Sequence, residues 1–222
     1  MSNMPNSKPL LRVVVLISGS GSNLQALIDG MQAGELPINI VGVISNKADA
    51  YGLQRAQQAN IANHFLAHQD FDSRDDFDQA LRSLIDQHRP DLVVLAGFMR
   101  ILTADFVAAY TNRLINIHPS LLPKFTGLNT HQRAIEAGES QHGASVHFVI
   151  AELDAGPVII QGSIPVHADD TSESLQKRVH KIEHIIYPQA VKWIAEDRIS
   201  VQDGHALLDG HIADAQKPAL DC

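Results

Sequence analysis

The 222-residue sequence predicts an α/β fold with a doubly wound, mostly parallel sheet and an antiparallel strand pair in the C-terminal half. Three observations predict this fold. Apolar runs without strict alternation recur along the first half, which is typical of strands buried on both faces. Segments with helical spacing of apolar residues separate these runs. In the second half, a turn joins two apolar runs and is too short for a parallel crossover.

The first half alternates predicted strands with predicted helices. The strands are residues 12–17, 38–45, a short strand near His64, and 92–96. The helices begin near Ser22, span 51–59, and span 73–88. Ser73 followed by Asp76 has the spacing of an N-terminal capping pair, and Pro90 is a typical stop signal. This order of elements predicts the doubly wound half of the sheet.

The second half is predicted to contain two strands and a long helix. Residues 145–150 and 158–166 are the strands, and 153–157 form the turn that makes them antiparallel. A final helix over 171–196 carries an apolar stripe that is expected to pack on the sheet. We therefore expect a leader over residues 1–10, a single domain over 11–200, and a C-terminal tail over 201–222.

Composition excludes several classes of protein. The formal net charge is −8 with scattered Lys and Arg, so we expect no nucleic-acid partner. The apolar run 13–17 is too short to span a bilayer, and we expect a cytoplasmic protein with no membrane partner. The sole cysteine, Cys222, excludes an internal disulfide and a thiolate metal cluster within one chain, and no metal is expected. We therefore expect the protein to act on small-molecule substrates.

A glycine-rich turn lies between the first predicted strand and helix, with Gly21, Ser22 and Asn23 at the helix start. Unpaired N–H groups at a helix N-terminus bind anions, which suggests a phosphate site. The turn differs from the dinucleotide motif because Leu24 replaces the third glycine, and no Lys-Ser or Lys-Thr of a P-loop follows. A tight turn whose glycines serve geometry alone stays an equal alternative.

Three polar side chains suggest acyl-transfer chemistry. Asn116 and His118 are two residues apart on a predicted strand and therefore share a face, while Asp154 lies in the later turn. An amide can donate to an oxyanion, and a carboxylate can orient and charge an imidazole. The alternative is a set of buried structural residues. His147, which alternates with Ser145, is either a supporting residue of the site or a structural histidine.

The sequence closely resembles the phosphoribosylglycinamide formyltransferase family of purine biosynthesis. The motifs that carry the resemblance are VLISGSGSNLQ at 15–25, SNKADA at 45–50, LAGFMRIL at 95–102, NIHPSLLP at 116–123, and the run 142–157. They keep the family order from about residue 12 to residue 188. The resemblance implies a Rossmann-like formyltransferase fold, with 10-formyltetrahydrofolate as co-substrate and a monomer or homodimer.

The resemblance also implies a role for each matching residue. Gly21, Ser22 and Asn23 would hold the substrate phosphate, and Glu183 would contact the rest of the ribonucleotide. The folate site would contain Arg74, Met99, Arg100, Ile101 and Leu102. Asn116 would steady the oxyanion, His118 would act as general acid, and Asp154 would keep His118 charged. The sequence departs from the family pattern at Ser20, at 124–127 and at Ala144.

Two other functions stay open. A formyltetrahydrofolate hydrolase would use the same three residues with water as the acceptor. We expect hydrolases of this kind to be longer, with an added N-terminal domain. A non-catalytic nucleotide-binding module would need the glycine-rich turn, but it would leave Asn116, His118 and Asp154 without a function.

Overall fold

A computed structural model of the chain describes residues 9–213. Most of the expected leader and the last residues of the expected tail lie outside this range. Within it, the main sheet has seven strands: β1 (Leu11–Ile17), β2 (Ile38–Ser45), β3 (Asn63–Phe65), β4 (Leu92–Leu95), β5 (Leu114–His118), β6 (Gln141–Phe148) and β7 (Val158–Pro165). The helices are α1 (Ser22–Gln32), α2 (Tyr51–Gln58), α3 (Arg74–Gln87), α4 (Ala104–Ala109), α5 (Thr130–Glu136) and α6 (Ser172–Ala195).

The sheet confirms the predicted fold class. Its strand order is β3-β2-β1-β4-β5-β6-β7, and the first five of these strands pair in parallel. The expected antiparallel pair is β6 with β7. β6 also runs antiparallel to β5, a pairing that the sequence does not predict. This second antiparallel pairing brings β6 beside the end of β5, where Asn116 and His118 lie.

Burial on both faces of the sheet explains the continuous apolar runs. In β1, Val13, Val15 and Ile17 belong to a core shared with α1 and α6, whereas Val14 and Leu16 belong to a core shared with α3 and α4. All five side chains are fully buried. Because neither face of the strand meets water over residues 13–17, this part of β1 shows no polar alternation.

The third helix begins where the sequence predicts. Ser73 precedes α3, and its hydroxyl oxygen accepts a hydrogen bond from the backbone N–H of Asp76 at 3.1 Å. This bond satisfies one of the helix's free N–H groups and confirms the predicted cap.

Residues 199–212 form a small antiparallel sheet where a tail is expected from 201 onward. Its strands are β8 (Ile199–Gln202), β9 (His205–Leu208) and β10 (His211–Ile212). Two Asp-Gly pairs, 203–204 and 209–210, form the turns with positive φ at both residues. Asp-Gly is a strong signal for a two-residue hairpin, and it explains these strands. Ala206 and Leu208 are buried in the same hydrophobic core as the apolar residues of α1 and α6.

A pair of buried histidines lies between α5 and β6. His131 of α5 and His142 of β6 are 8% and 1% exposed, and Nδ1 of His131 is 3.1 Å from Nε2 of His142. Burial lowers the pKa of each imidazole to about 4, and each ring also suffers repulsion from a neighbouring histidine. Both rings are therefore neutral in the folded protein at pH 7.

We predict that this pair makes stability depend on pH. The folded-state pKa lies below the unfolded value of 6.5, so the unfolded chain binds more protons between these values. The free energy of unfolding is therefore highest above pH 6.5 and falls as the pH drops toward 4, by roughly 1 to 2 kcal/mol per histidine at pH 5. Urea unfolding at pH 7.5 and pH 5.0 measures this loss.

Replacing both histidines with glutamine should reduce the pH-dependent loss. Replacement of the exposed His205 by glutamine should leave it at the wild-type value. An equal loss in the double variant and the wild type would show that other groups cause the pH dependence.

The start of α2 packs closely against the glycine-rich turn. A Cβ on Gly21 would lie 2.6 Å from Cα of Gly52, and Gly21 has φ of +67°. A Cβ on Gly52 would overlap Cδ1 of Ile17. Packing and backbone conformation therefore require both glycines, whatever the turn binds.

We predict that Gly52→Ala destabilises the protein by about 1 to 3 kcal/mol, because the new methyl group overlaps a fully buried side chain. This overlap outweighs the helix propensity gained in α2, about 1 kcal/mol. Gly19→Ala is the matched control, since a methyl group on Gly19 would meet no heavy atom within 4 Å beyond its chain neighbours. Urea unfolding that ranks the two variants as equally stable would contradict this prediction.

Candidate active site

The predicted catalytic residues meet at the carboxyl end of β5. Asn116 and His118 project to the same face, as their spacing predicts. Asn116 pairs across the sheet with His147 of β6, and His118 pairs with Ser145. The antiparallel β5–β6 pairing therefore places all four side chains in one cluster.

The Asn116 amide has a fixed orientation. Its Nδ2 lies 3.2 Å from Nε2 of His147, and Nδ1 of His147 lies 2.9 Å from the carbonyl oxygen of Phe148. Burial lowers the pKa of His147, so its ring is neutral. In the neutral ring, Nδ1–H donates to Phe148 and Nε2 accepts from Asn116. The Asn116 amide has a second N–H, which His147 does not use.

Both ring nitrogens of His118 face oxygen atoms. Nδ1 is 3.5 Å from Oδ2 of Asp154, and Nε2 is 2.9 Å from the carbonyl oxygen of Phe125. The side chains of His118 and Asp154 are 6% and 7% exposed. A carboxylate and a carbonyl are both acceptors, so this environment suits a ring that donates from both nitrogens.

Asp154 lies in a tight turn between β6 and β7 and has φ of +53°. Its Oδ2 also accepts a hydrogen bond from the backbone N–H of Gly127 at 2.8 Å. Its Oδ1 lies 3.8 Å from Nε2 of His147. This last contact is no ion pair, because His147 is neutral and its Nε2 accepts from Asn116. Asp154 thus connects His118 to the 124–128 loop.

Ser145 supports the chain that follows His118. Its hydroxyl donates to the carbonyl oxygen of Ser120 at 2.6 Å and accepts from the backbone N–H of Leu122 at 3.0 Å. The Gln161 amide donates to Ser145 and to the carbonyl oxygen of Leu122, both at 2.8 Å. Ser145 therefore contacts the loop rather than the three catalytic candidates.

Asn23 and Glu183, 160 residues apart, meet at the start of α1. Nδ2 of Asn23 donates to Oε2 of Glu183 at 2.8 Å. Asn23 and Glu183 are 8% and 5% exposed, and burial raises the pKa of the Glu183 carboxyl. Oδ1 of Asn23 is buried with no hydrogen-bond partner among the described residues. Buried polar atoms usually have partners, so an unpaired one is typical of a ligand-binding position.

The predicted folate residues lie on two adjacent segments. Met99, Arg100, Ile101 and Leu102 follow β4, whose last residue pairs with Asn116. The Arg100 guanidinium lies 4.6 Å from the ring of Phe77 on α3. Arg74 is exposed at the first position of that helix. Met99 and Ile101 are 62% and 57% exposed, unusual for large apolar side chains, and they offer an apolar surface on the segment that follows β4.

Several groups at the site were not predicted from the sequence. The carbonyl of Phe125 and the N–H of Gly127 are backbone groups, which residue identity does not reveal. Positive φ at Phe125 and Gly127 shapes this loop, and its glycine is the signal that indicates a special conformation. Gln161 is a buried polar residue of β7 whose partners, Ser145 and the Leu122 carbonyl, come together only when β6 and β7 are in place. The buried Ser120 hydroxyl donates to another backbone group, the carbonyl of Lys124 at 2.6 Å.

The cluster consists of amide, imidazole and carboxylate groups, which suit charge stabilisation and proton transfer at a carbonyl carbon. Within residues 9–213, no three His, Cys, Asp or Glu side chains form a group that could hold a metal ion. No helix in the same range is long and apolar enough to cross a membrane.

Comparisons with known proteins agree with this chemistry. Residues 11–191 match the family described as Formyl transferase. The chain is 51% identical over 211 residues to phosphoribosylglycinamide formyltransferase from Escherichia coli K12, covering 95% of this chain and 100% of that protein. Phosphoribosylglycinamide formyltransferase from Coxiella burnetii is 55% identical, with a TM-score of 0.88 and coverage of 91% of this chain and 95% of that one.

A more distant structure bears on the hydrolase alternative. A formyltetrahydrofolate deformylase from Pseudomonas syringae is 28% identical with a TM-score of 0.84. The alignment covers 90% of this chain but 66% of that one. The fold thus serves both chemistries, whereas the higher identities and near-complete mutual coverage belong to the ribonucleotide enzymes. The chain belongs to the formyl transferase family and, within it, to the phosphoribosylglycinamide formyltransferases.

Proposed function

We propose that the protein transfers the formyl group of 10-formyltetrahydrofolate to the amine of 5′-phosphoribosylglycinamide, with Asn116, His118 and Asp154 as its catalytic residues. The observation that supports this most directly is the convergence of an amide, an imidazole and a carboxylate on one face of β5. The products are formylglycinamide ribonucleotide and tetrahydrofolate. The amine attacks directly, without a covalent enzyme intermediate, because the cluster contains no activated serine or cysteine nucleophile.

Asn116 donates a hydrogen bond to the oxyanion that forms at the formyl carbon. One N–H of its amide donates to His147, which fixes the direction of the other. The neutral state of His147 matters here, because a doubly protonated ring would have no lone pair for Asn116. A donor fixed before the reaction loses little free energy to reorientation in the transition state.

His118 supplies a second donor and a positive charge. In the structure its Nε2 donates to the Phe125 carbonyl, so donation to the substrate replaces this contact. Asp154 faces Nδ1 and stabilises the imidazolium. It also orders a water molecule that carries the amine proton to the departing folate nitrogen. No step needs a metal.

Two sets of residues bind the substrates in this proposal. Gly21, Ser22 and Asn23 hold the phosphate at the start of α1, where backbone N–H groups are free. Glu183 and the unpaired Oδ1 of Asn23 contact the remainder of the ribonucleotide. Arg74 and the 99–102 segment hold the folate, with exposed Met99 and Ile101 against its ring.

We predict that His118→Ala and Asp154→Asn each lower kcat by about a hundredfold or more, because each removes charge stabilisation in the transition state. Circular dichroism should show that both variants keep the wild-type secondary structure. His205→Gln, an exposed histidine on β9, is the control and should keep the wild-type rate. Wild-type rates in either catalytic variant would overturn the assigned roles.

We also predict that formyl-folate consumption requires the ribonucleotide. The product absorbance of the folate should change rapidly only when synthetic glycinamide ribonucleotide is present. A hydrolase would consume formyl-folate at the same rate without the amine, and this result would replace the transferase assignment. Binding of the ribonucleotide with no turnover under either condition would instead favour a non-catalytic nucleotide-binding module.

A further inference from the structure

Ser18 hydrogen-bonds the segments that follow two neighbouring strands. It follows β1, which lies between β2 and β4 in the sheet. Its hydroxyl donates to Oδ1 of Asn46, which follows β2, at 2.6 Å. The same oxygen accepts from the backbone N–H of Met99, beyond β4, at 2.8 Å. One hydroxyl therefore holds together the segments at the carboxyl ends of three adjacent strands.

Burial makes this arrangement specific. Ser18 and Asn46 are each 5% exposed. A serine hydroxyl has one hydrogen, and its donation to Asn46 directs the oxygen lone pairs toward Met99. The last ladder contact between β1 and β4 joins Ala96 N–H to the Leu16 carbonyl at 2.8 Å. The bond from Met99 to Ser18 continues this pairing past Gly97, which has φ of +77°.

We propose that Ser18 is a positioning residue for folate, which sets the conformation of the 97–102 segment through the Met99 N–H. This inference rests on the proposed function, since that segment is the proposed folate site. The side chain of Met99 is exposed to solvent, while its backbone N–H donates to the Ser18 hydroxyl. Ser18 makes no hydrogen bond to Asn116, His118 or Asp154. Its loss therefore acts on folate binding and leaves the chemical step intact.

The test is steady-state kinetics of Ser18→Ala. We expect KM for 10-formyltetrahydrofolate to rise about three- to tenfold, while kcat and KM for the ribonucleotide stay within about twofold of wild type. Asn46→Leu, which removes the acceptor, should shift the same KM in the same direction. Asn46→Asp keeps an acceptor oxygen and should raise this KM less than Asn46→Leu. These variants provide a second route if Ser18→Ala folds poorly.

Ser174→Ala is the matched control for the loss of a hydroxyl. Ser174 also accepts from a backbone N–H, that of Thr171 at 2.9 Å, and donates to a side-chain oxygen, that of Asp170 at 2.7 Å. It should lower the melting temperature without changing KM for folate. If Ser18→Ala and Asn46→Leu behave like this control, Ser18 is only structural and the proposal is overturned.

Calorimetry with a stable formyl-folate analogue separates this proposal from the proposed reaction. The dissociation constant should rise about three- to tenfold in Ser18→Ala, whether or not turnover is observed. An inactive wild type with this shift would overturn the reaction but support Ser18. An active wild type without the shift would overturn Ser18 alone.

Discussion

The position of the Asp154 carboxylate constrains the rest of the candidate active site. One oxygen, Oδ2, both accepts from Gly127 N–H and faces Nδ1 of His118. The loop that contains Gly127 also supplies the Phe125 carbonyl to the opposite nitrogen of His118. The imidazole is therefore held on both sides by groups that depend on the same carboxylate. Asp154 itself lies in the connection between β6 and β7, with a left-handed backbone conformation.

Helix α6 connects this cluster to the start of α1. Glu183 accepts from Asn23, and one turn later the hydroxyl of Tyr187 donates to the carbonyl of Leu95 at 2.9 Å. Tyr187 is fully buried, and burial raises the pKa of its hydroxyl well above the usual value, so it remains a donor. Leu95 pairs with Asn116 and precedes the 97–102 segment. A single helix thus contacts both the start of α1 and the end of β4, which precedes the 97–102 segment.

The sequence predicts the parallel half well because its signals are local. The apolar run 13–17 of β1 and the Ser73 cap can each be recognised from a few neighbouring residues. The β5–β6 pairing has no such local signal, because neither strand encodes its partner across the intervening α5. The small sheet over 199–212 is different, since two Asp-Gly turns do mark it. For the site, alternation places Asn116 and His118 on one face, but the backbone contacts of Phe125 and Gly127 depend on a loop conformation that no residue type specifies.

Two neighbouring histidines acquire different properties from their partners. His147 donates to a backbone carbonyl through one nitrogen and accepts from the Asn116 amide through the other. The second contact requires a neutral ring, which burial also favours. His118 faces a carboxylate at one nitrogen and a carbonyl at the other, which suits a ring that donates from both. If His147 were charged, Asn116 would lose the acceptor that orients it. The neutral His147 ring therefore leaves His118 as the histidine that faces Asp154 as a donor, and it leaves the second Asn116 N–H without a bond to His147.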